Sequence, residues 1–167
     1  MVGRHAWAAS VVAATPGEHL LEIGCGAGQA AELVLRDVGS DRMLRAIDRS
    51  AVAIRKTAAR CAHEIADGRL RVDELELAEL TVAAGSFDGA WAMNVNAFWT
   101  RDPAPELDVL RRALRPQARL LLLWEPGPTT VGKLEPLAGH LAAAGFGSVE
   151  QLATDDGIVV RSRAPRT

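Results

Sequence analysis

Short apolar runs alternate along the chain with longer segments in which apolar residues recur at helical spacing. Apolar residues at every second position, or in one short continuous run, predict strands, whereas recurrence after three and four residues predicts a helix. The pattern predicts strands at 19–23, 43–47, 69–75, 87–93, 119–124, 147–153 and 157–161. It predicts helices at 7–14, from Gln29 to near Val38 and Gly39, and at 51–65, 103–115 and 134–144.

Turn and cap residues mark where these elements begin and end. Pro16 and Gly17 separate the first helix from the first strand. Ser50 is a predicted N-cap, because its hydroxyl group can accept a hydrogen bond from the first turn of the next helix. Pro116 is expected to end the helix at 103–115, since proline cannot continue a helix. The polar stretch at 154–156 predicts a hairpin between the last two strands.

The order of the elements predicts the fold class. Strands alternate with helices five times and then finish as a pair, which is typical of a parallel sheet covered by helices on both faces. We therefore predict an α/β three-layer sandwich whose mainly parallel seven-stranded sheet ends in an antiparallel hairpin. A single domain over residues 1–167 is expected, with a short N-terminal helix or cap at 1–17 and the core at 18–163.

Composition and charge narrow the range of partners. Of the 167 residues, 49% are hydrophobic and 24% are charged, which is typical of a folded chain rather than a disordered one. The formal net charge of −2 disfavours nucleic acid as a partner, since binding to phosphates needs clustered Lys and Arg. No apolar run approaches the roughly 20 residues that span a bilayer, so no membrane partner is expected.

The cysteines favour a reducing compartment. There are two, Cys25 and Cys61, and their spacing does not match a metal site. Pro16 and Gly17 lead directly into the first strand, without the features of a signal peptide. We therefore expect a cytoplasmic protein without a bound metal.

The loop after the first strand carries glycine at every second position, at Gly24, Gly26 and Gly28. Glycine permits positive φ and lacks the Cβ atom that would keep a ligand away from the backbone. The helix predicted from Gln29 would aim its free N–H groups at the same place. This glycine loop, residues 24–28, is therefore expected to bind a ligand.

The spacing of the loop decides between two kinds of ligand. A dinucleotide-binding loop follows the pattern G-x-G-x-x-G, and here the third glycine comes one residue too early, at Gly28. Asp48, at the end of the second strand, would bind ribose hydroxyl groups in either case. Glu22 favours a ligand with an ammonium group, because its carboxylate would repel a pyrophosphate. A nicotinamide enzyme is therefore disfavoured.

At these residues the chain resembles the class I S-adenosylmethionine-dependent methyltransferases. The resemblance covers about residues 18 to 163 in the right order, and its matching segments are 22–28, 47–50, 86–88 and 110–120. The chain departs from the family's pattern at Gln117 and Ala118, where two glycines are common, and at Glu76, where Asp is more usual. The resemblance implies S-adenosylmethionine as the cofactor.

The resemblance also implies a role for each matched position. Glu22 and the loop backbone would lie near the amino acid moiety, and Asp48 would accept hydrogen bonds from both ribose hydroxyl groups. Glu76 and Leu77 would meet the adenine, and Asn94 would lie beside the methionine part. The implied cofactor-binding residues are Glu22, Gly24, Cys25, Gly26, Gly28, Asp48, Arg49, Glu76, Leu77 and Asn94.

Methyl transfer from a sulfonium is a direct displacement that depends on positioning and needs no metal. A base is wanted when the acceptor is a hydroxyl group or an acidic carbon. The candidates are His5 and Glu125, with Asp102 as a weaker third, and Asn94 is a further catalytic candidate next to the methyl group.

The segment 94–102, after the fourth strand, is the expected acceptor site. Phe98 and Trp99 could form its walls, with Asn96 and Arg101 as polar anchors. The alternative is that both aromatic rings pack the loop onto the core. An Asn-Pro-Pro-aromatic motif typical of amino-methylating relatives is incomplete here, because the prolines are missing.

Simpler roles stay open for several of these residues. Asp48 could only cap the next helix, Glu22 could only bind nearby backbone N–H groups, and Cys25 is better explained as a small loop residue than as a nucleophile. For the whole chain, the leading hypothesis is methyl transfer to an O, N or C atom of a small molecule. The alternative is a non-catalytic module that binds the cofactor or a partner. A homodimer is possible in either case.

Overall fold

The chain divides into two compact units, Met1–Leu80 and Thr81–Thr167. The computed structural model describes residues 3–36, 43–127 and 130–166. Within these residues there are seven strands, three in the first unit and four in the second. The predicted end of the second helix, near Val38 and Gly39, lies outside the described residues.

The first unit contains three parallel strands in the order β3-β2-β1. The strands are β1 His19–Ile23, β2 Met43–Asp48 and β3 Leu70–Glu74. The helices are α1 Arg4–Val12, α2 Gln29–Arg36, α3 Ala51–Arg60 and α4 Ala62–Ala66, and a 3₁₀ turn covers Leu77–Glu79.

Strand register brings the functional candidates of the first unit to one edge of its strands. Ile23 lies opposite Ile47 in the β1–β2 pair, and Asp48 lies opposite Glu74 in the β2–β3 pair. The carboxyl ends of parallel strands are where ligands bind in open α/β sheets. The loop after β1, the end of β2 and the 3₁₀ turn after β3 therefore all lie at the ligand-binding edge.

Buried apolar side chains hold the first unit together. Leu20, Leu21 and Ile23 of β1 are at most 3% exposed, as expected for a strand that is covered on both faces. The amphipathic helix α2 buries Ala31 and Leu35. Burying one such large aliphatic side chain contributes about 1.5–3 kcal/mol.

The second unit combines one parallel and two antiparallel strand pairs, in the order β4-β5-β7-β6. The strands are β4 Phe87–Met93, β5 Leu114–Trp124, β6 Gly147–Ala153 and β7 Ile158–Arg163. The helices are α5 Ala104–Ala113 and α6 Thr130–Ala143, and a 3₁₀ turn covers Asn96–Phe98. The β6–β7 pair is the predicted closing hairpin.

The core of the second unit is built on β4 and β5. Trp91 of β4 and Trp124 of β5 are both 1% exposed. Three leucines of β5 before Trp124 are fully buried: Leu120, Leu122 and Leu123. These strands therefore have the continuous apolar character of a sheet covered by helices. Together with the three parallel strands of the first unit, they confirm the predicted fold class.

The prediction of one continuous helix at 51–65 is wrong, because the helix breaks at Cys61 into α3 and α4. Cys61 has φ −106° and ψ 31°, outside the helical range. Its side chain is fully buried, and its Sγ atom lies 3.8 Å from the carbonyl oxygen of Gly28. A contact with a distant loop therefore coincides with the break, which local sequence pattern does not report.

The predicted boundary between the helix at 103–115 and the next strand is also wrong. The helix α5 ends at Ala113, and β5 begins at Leu114 rather than at residue 119. The β4–β5 register shifts between Phe87 and Gly89, where the partners jump from Leu114 to Arg119. Pro116 lies in this irregular, exposed part of β5, where the ladder does not need its missing N–H group.

Two further helix boundaries differ from the predictions at 7–14 and 134–144. The helix α1 starts at Arg4 and ends at Val12, because Ala13 adopts the left-handed conformation, with φ 40°. The helix α6 starts at Thr130, so that Pro136 lies inside it. Proline removes one hydrogen bond from a helix, and burial of the apolar face of α6 offsets this loss. That face consists of Leu134, Leu137 and Leu141.

Candidate functional site

The glycine loop of the first unit has the backbone conformation that its sequence predicts. Gly24, Gly26 and Gly28 have φ values of 72°, 58° and 76°, all in the left-handed region. The N–H groups of Gly24 and Cys25 both donate to the carbonyl oxygen of Ile47, at 2.8 and 3.1 Å. The end of β2 therefore holds the start of the loop.

Asp48 makes the next contact between β2 and the loop. Its Oδ2 atom accepts a hydrogen bond from Gly26 N–H at 2.9 Å, and its Oδ1 atom accepts one from Ser50 N–H at 2.9 Å. A carboxylate offers about four acceptor positions, so about two of them remain for a ligand. The capping hydrogen bond to α3 comes from Ser50, and Asp48 contacts only the N–H group of that N-cap residue. Asp48 nevertheless retains the capacity to bind hydroxyl groups.

Helix α3 also contacts the glycine loop. Thr57 of α3 is fully buried, and its hydroxyl group donates to the carbonyl oxygen of Gly26 at 3.0 Å. Arg60 Nε donates to the carbonyl oxygen of Ala27 at 2.8 Å. Neither residue was predicted from the sequence. The available signal was their helical spacing of three residues, which places them on one face of α3.

Close packing between the loop and α3 explains the third glycine. A Cβ atom at Gly28 would lie 3.0 Å from both Cα and Cγ2 of Thr57. At Gly26, by contrast, a Cβ atom would meet no described atom within 4 Å. Gly28 therefore permits α3 to approach the loop, whereas Gly26 leaves space beside the backbone.

Burial, with a further contribution from two nearby carboxylates, keeps Cys25 of the loop protonated. Burial raises the pKa of the Cys25 thiol from 9.0 to about 12, and the negative charges of Glu22 and Asp48 act in the same direction. A thiol at neutral pH is a poor nucleophile, which favours a packing role for Cys25. Burial likewise raises the pKa of Cys61, to about 11.

Three further cofactor candidates lie at the same edge of the first unit. Glu22 of β1 is 4% exposed, directly before the loop. Arg49 and Glu76 follow β2 and β3, and the Nη1 atom of Arg49 lies 3.8 Å from Oε1 of Glu76. Both side chains are at least half exposed, so this pair contributes little to stability.

Leu77 and His5 are the remaining candidates of the first unit. Leu77 begins the 3₁₀ turn after β3 and is 6% exposed. The N–H group of the preceding Glu76 donates to Oε2 of Glu79 at 3.1 Å, which fixes the start of this turn. His5 is half-buried in α1, away from the strand ends in sequence.

In the second unit, the structure joins Asn94 and Glu125, which the sequence analysis predicted separately. Asn94 Nδ2 donates to Oε2 of Glu125 at 2.9 Å, and Glu125 N–H donates to Oδ1 of Asn94 at 3.0 Å. Asn94 adopts a φ of 57°, which Asn tolerates better than most residues. The amide group of Asn94 therefore holds the carboxylate of Glu125 at the ends of β4 and β5.

The aromatic residues of the expected acceptor segment have different environments. Phe98 is 1% exposed and lies in the core, which favours the packing alternative for this ring. Trp99 is half-buried, its indole N–H group donates to Oδ1 of Asn96 at 2.9 Å, and its ring lies 5.6 Å from that of Trp124. Trp124 is 1% exposed, so it packs against Trp99 from the core and is not available to an acceptor.

The charged residues of this segment are engaged with nearby helices. Arg101 Nη2 donates to Oε1 of Glu106 at 2.5 Å, and Glu106 is 2% exposed. Asp102 accepts a hydrogen bond from Ala104 N–H at 3.0 Å and lies 3.5 Å from Nδ1 of His140. Arg101 is thus held in place while about half of its side chain stays exposed.

The described parts of the chain contain neither a candidate metal centre nor a candidate membrane span. No group of three or more His, Cys, Asp or Glu residues there could hold a metal ion. Among the same residues, no helix has the length and apolarity needed to cross a bilayer.

Comparison with known proteins identifies the family. The model of a family described as "Methyltransferase domain" matches residues 20–117, which is more than half of the chain and includes the glycine loop, Asp48 and Asn94. The chain belongs to this family of class I S-adenosylmethionine-dependent methyltransferases. The predicted family is confirmed, and with it S-adenosylmethionine as the cofactor of the family.

One curated relative is an O-methyltransferase of Pyrenophora dematioidea, which is 29% identical over 154 residues. The match covers 87% of this chain and 56% of the relative, so the chain spans little more than half of the relative's length.

Solved structures share the fold at low sequence identity. A methyltransferase of Aquifex aeolicus that depends on S-adenosylmethionine has a TM-score of 0.77 and 19% identity, covering 96% of this chain and 89% of that protein. The [4+2]-cyclase SpnF has a TM-score of 0.78 and 19% identity, covering 97% of this chain and 82% of that protein. The fold therefore also occurs in a cyclase and does not by itself specify a reaction.

The contact between Gly28 and Thr57 leads to a stability prediction. We expect Gly28→Ala to lower the free energy of unfolding by about 2–5 kcal/mol, since it adds steric overlap to an unfavourable φ. The matched control is Gly68→Ala, because Gly68 has a similar φ of 74° and no described atom within 4 Å of a Cβ. The control should cost about 1–2 kcal/mol. Equal losses in urea denaturation would show that α3 does not pack against the loop in this way.

Proposed function

We propose that this protein transfers a methyl group from S-adenosylmethionine to a small-molecule acceptor, by direct in-line displacement and without a metal ion. One observation carries the proposal: the hydrogen bond of 2.9 Å that joins Gly26 of the glycine loop to Asp48 at the end of β2. It brings a backbone that is open to ligands and a hydroxyl-binding carboxylate together at the ligand-binding edge of the first unit.

The residues at this edge fit the cofactor. The space beside Gly26 permits close approach of a ligand to the loop backbone. Asp48 retains acceptor positions for the ribose hydroxyl groups. Glu22 and the loop bind the amino acid moiety in this proposal, and Glu76 and Leu77 bind the adenine. Arg49, which is paired with Glu76, then lies at the exposed side of the adenine site.

The charge of the loop environment also favours this cofactor. Burial is the largest cause of the raised pKa of Cys25, and the negative charges of Glu22 and Asp48 raise this pKa further. Both carboxylates therefore act on the loop. Two negative charges attract a ligand that carries an ammonium group and repel a pyrophosphate. When bound, S-adenosylmethionine supplies an electrophilic methyl group on a positively charged sulfur atom.

Cofactor binding is the first test of the proposal. We expect Asp48→Asn to weaken the binding of S-adenosylmethionine at least about tenfold, because the amide replaces one acceptor oxygen by a donor and removes a charge. Asp67→Asn is the matched control, since it removes one charge from a carboxylate after α4. Isothermal titration calorimetry measures both dissociation constants. Native protein that binds no S-adenosylmethionine would contradict the proposed function.

The second unit supports an acceptor with an acidic hydroxyl group on an aromatic ring. The half-buried ring of Trp99, which packs against the buried Trp124, offers an aromatic surface, and the Trp99 indole N–H group fixes Asn96 beside it. Glu125, held by Asn94, is the base that removes the hydroxyl proton as the oxygen attacks. The match to a protein described as an O-methyltransferase supports the same atom type. His5, half-buried in α1, stays the alternative base.

The proposed base leads to a rate prediction. We expect Glu125→Gln to lower the rate of methyl transfer to phenols about 10²-fold or more, with the affinity for S-adenosylhomocysteine unchanged. Glu150→Gln, on the exposed strand β6, is the control that should retain full activity. Product is measured by mass spectrometry over a panel of phenols, amines and acidic carbon compounds.

The outcomes of this panel separate the hypotheses. An unchanged rate in Glu125→Gln would exclude Glu125 as the base. Tight cofactor binding without product from any acceptor would favour the non-catalytic module instead. The homodimer, the cytoplasmic location and the lack of a nucleic acid partner stay predictions from the sequence.

A further inference from the structure

Two side chains of α3 and the buried residue directly after it approach three successive carbonyl groups of the glycine loop. Thr57 contacts the carbonyl oxygen of Gly26 at 3.0 Å, Arg60 that of Ala27 at 2.8 Å, and Cys61 that of Gly28 at 3.8 Å. The approach through Cys61 is weak, because a thiol is a poor donor. The contact through Thr57 is the best protected, because its side chain is fully buried, whereas that of Arg60 is 39% exposed.

The Thr57 hydroxyl group also fixes the direction of a small hydrogen-bond chain. Its single proton goes to the carbonyl oxygen of Gly26, and its oxygen lies 3.5 Å from Sγ of Cys25. The Cys25 thiol is protonated at neutral pH and can therefore donate to that oxygen. Thr57 thus links the side chain of one loop residue to the backbone of the next.

Gly26 is held on both sides of its backbone. Its N–H group donates to Asp48, and its carbonyl group accepts from Thr57. In a planar trans peptide the C=O and N–H groups point in opposite directions, so the N–H group of Ala27 points away from Thr57. The hydroxyl group of Thr57 therefore decides which face of this peptide the loop turns towards a ligand.

We infer that Thr57 is a positioning residue of the cofactor site, acting through the peptide between Gly26 and Ala27 on the amino acid moiety of S-adenosylmethionine. The inference rests on the proposed function, which places that moiety at the loop. Thr57 itself does not touch the cofactor in this account. Its effect should be confined to ligands that reach the loop.

The experiment compares two ligands and two variants. Thr57→Val removes the hydroxyl group at nearly constant volume, and Thr57→Ser retains it. Calorimetry measures the dissociation constants of S-adenosylhomocysteine, which has the amino acid moiety, and of adenosine, which lacks it. Thermal unfolding of each variant reports stability separately.

We expect Thr57→Val to weaken S-adenosylhomocysteine about 3- to 10-fold, the effect of one hydrogen bond, and adenosine less than about twofold. Thr57→Ser should restore the native affinity for both ligands. The control Ser10→Ala removes another hydroxyl group that donates to a backbone carbonyl, that of Trp7, and should leave both affinities unchanged.

If Thr57→Val loses affinity equally for both ligands, or for neither, the inference is overturned. The proposed function stays intact in that case as long as the native protein binds S-adenosylhomocysteine. Native protein that binds neither ligand would overturn both. If Thr57→Val does not fold, Thr57→Ala gives the same comparison, and the same ratio of losses is expected.

Discussion

The hydrogen bond from Gly26 N–H to the carboxylate of Asp48 is the interaction on which the candidate site depends. It closes the loop after β1 against the end of β2, and it uses the acidic residue that the proposed cofactor also needs. The loop can reach Asp48 only because Gly24, Gly26 and Gly28 take positive φ values. One contact therefore fixes the conformation of the loop and positions the carboxylate that is proposed to bind the cofactor.

Asp48 also contributes to the charge around the loop, which bears on the ligand in the proposed function. Asp48 and the buried Glu22 place negative charge near the loop. The pKa of Cys25 is raised mainly by burial, and these two charges raise it further. A dinucleotide loop would need the opposite character, because it receives a pyrophosphate. In the proposed function, the glycines make the loop accessible to a ligand, and the carboxylates favour a ligand that carries an ammonium group.

Sequence pattern alone predicted the elements whose signal is local. The bounds of β1 and β4 agree with their apolar runs, and Ser50 accepts the predicted capping hydrogen bond from Ala53 N–H at 3.3 Å. The break at Cys61 was not predictable, because it accompanies a contact with Gly28 across more than thirty intervening positions. Local periodicity carries no information about such contacts.

Prediction of the candidate site from the sequence was limited in the same way. Its cofactor residues were named from the spacing of glycines and acids, which is visible in the sequence. Thr57 was missed because threonine beside arginine and lysine in an amphipathic helix has the character of a surface position. Asn94 and Glu125 were each predicted, but their mutual hydrogen bonds depend on the β4–β5 pairing. Sequence thus identifies the residue types, and tertiary contacts decide how they act.

The most direct test of the central claim is a titration of isotope-labelled protein with S-adenosylhomocysteine, followed by nuclear magnetic resonance of the backbone amides. We expect the largest shift changes at Gly24, Gly26, Asp48 and Leu77, while the amides of the exposed strand β6 stay unchanged. Saturable binding whose shift changes avoid the glycine loop and Asp48 would contradict it.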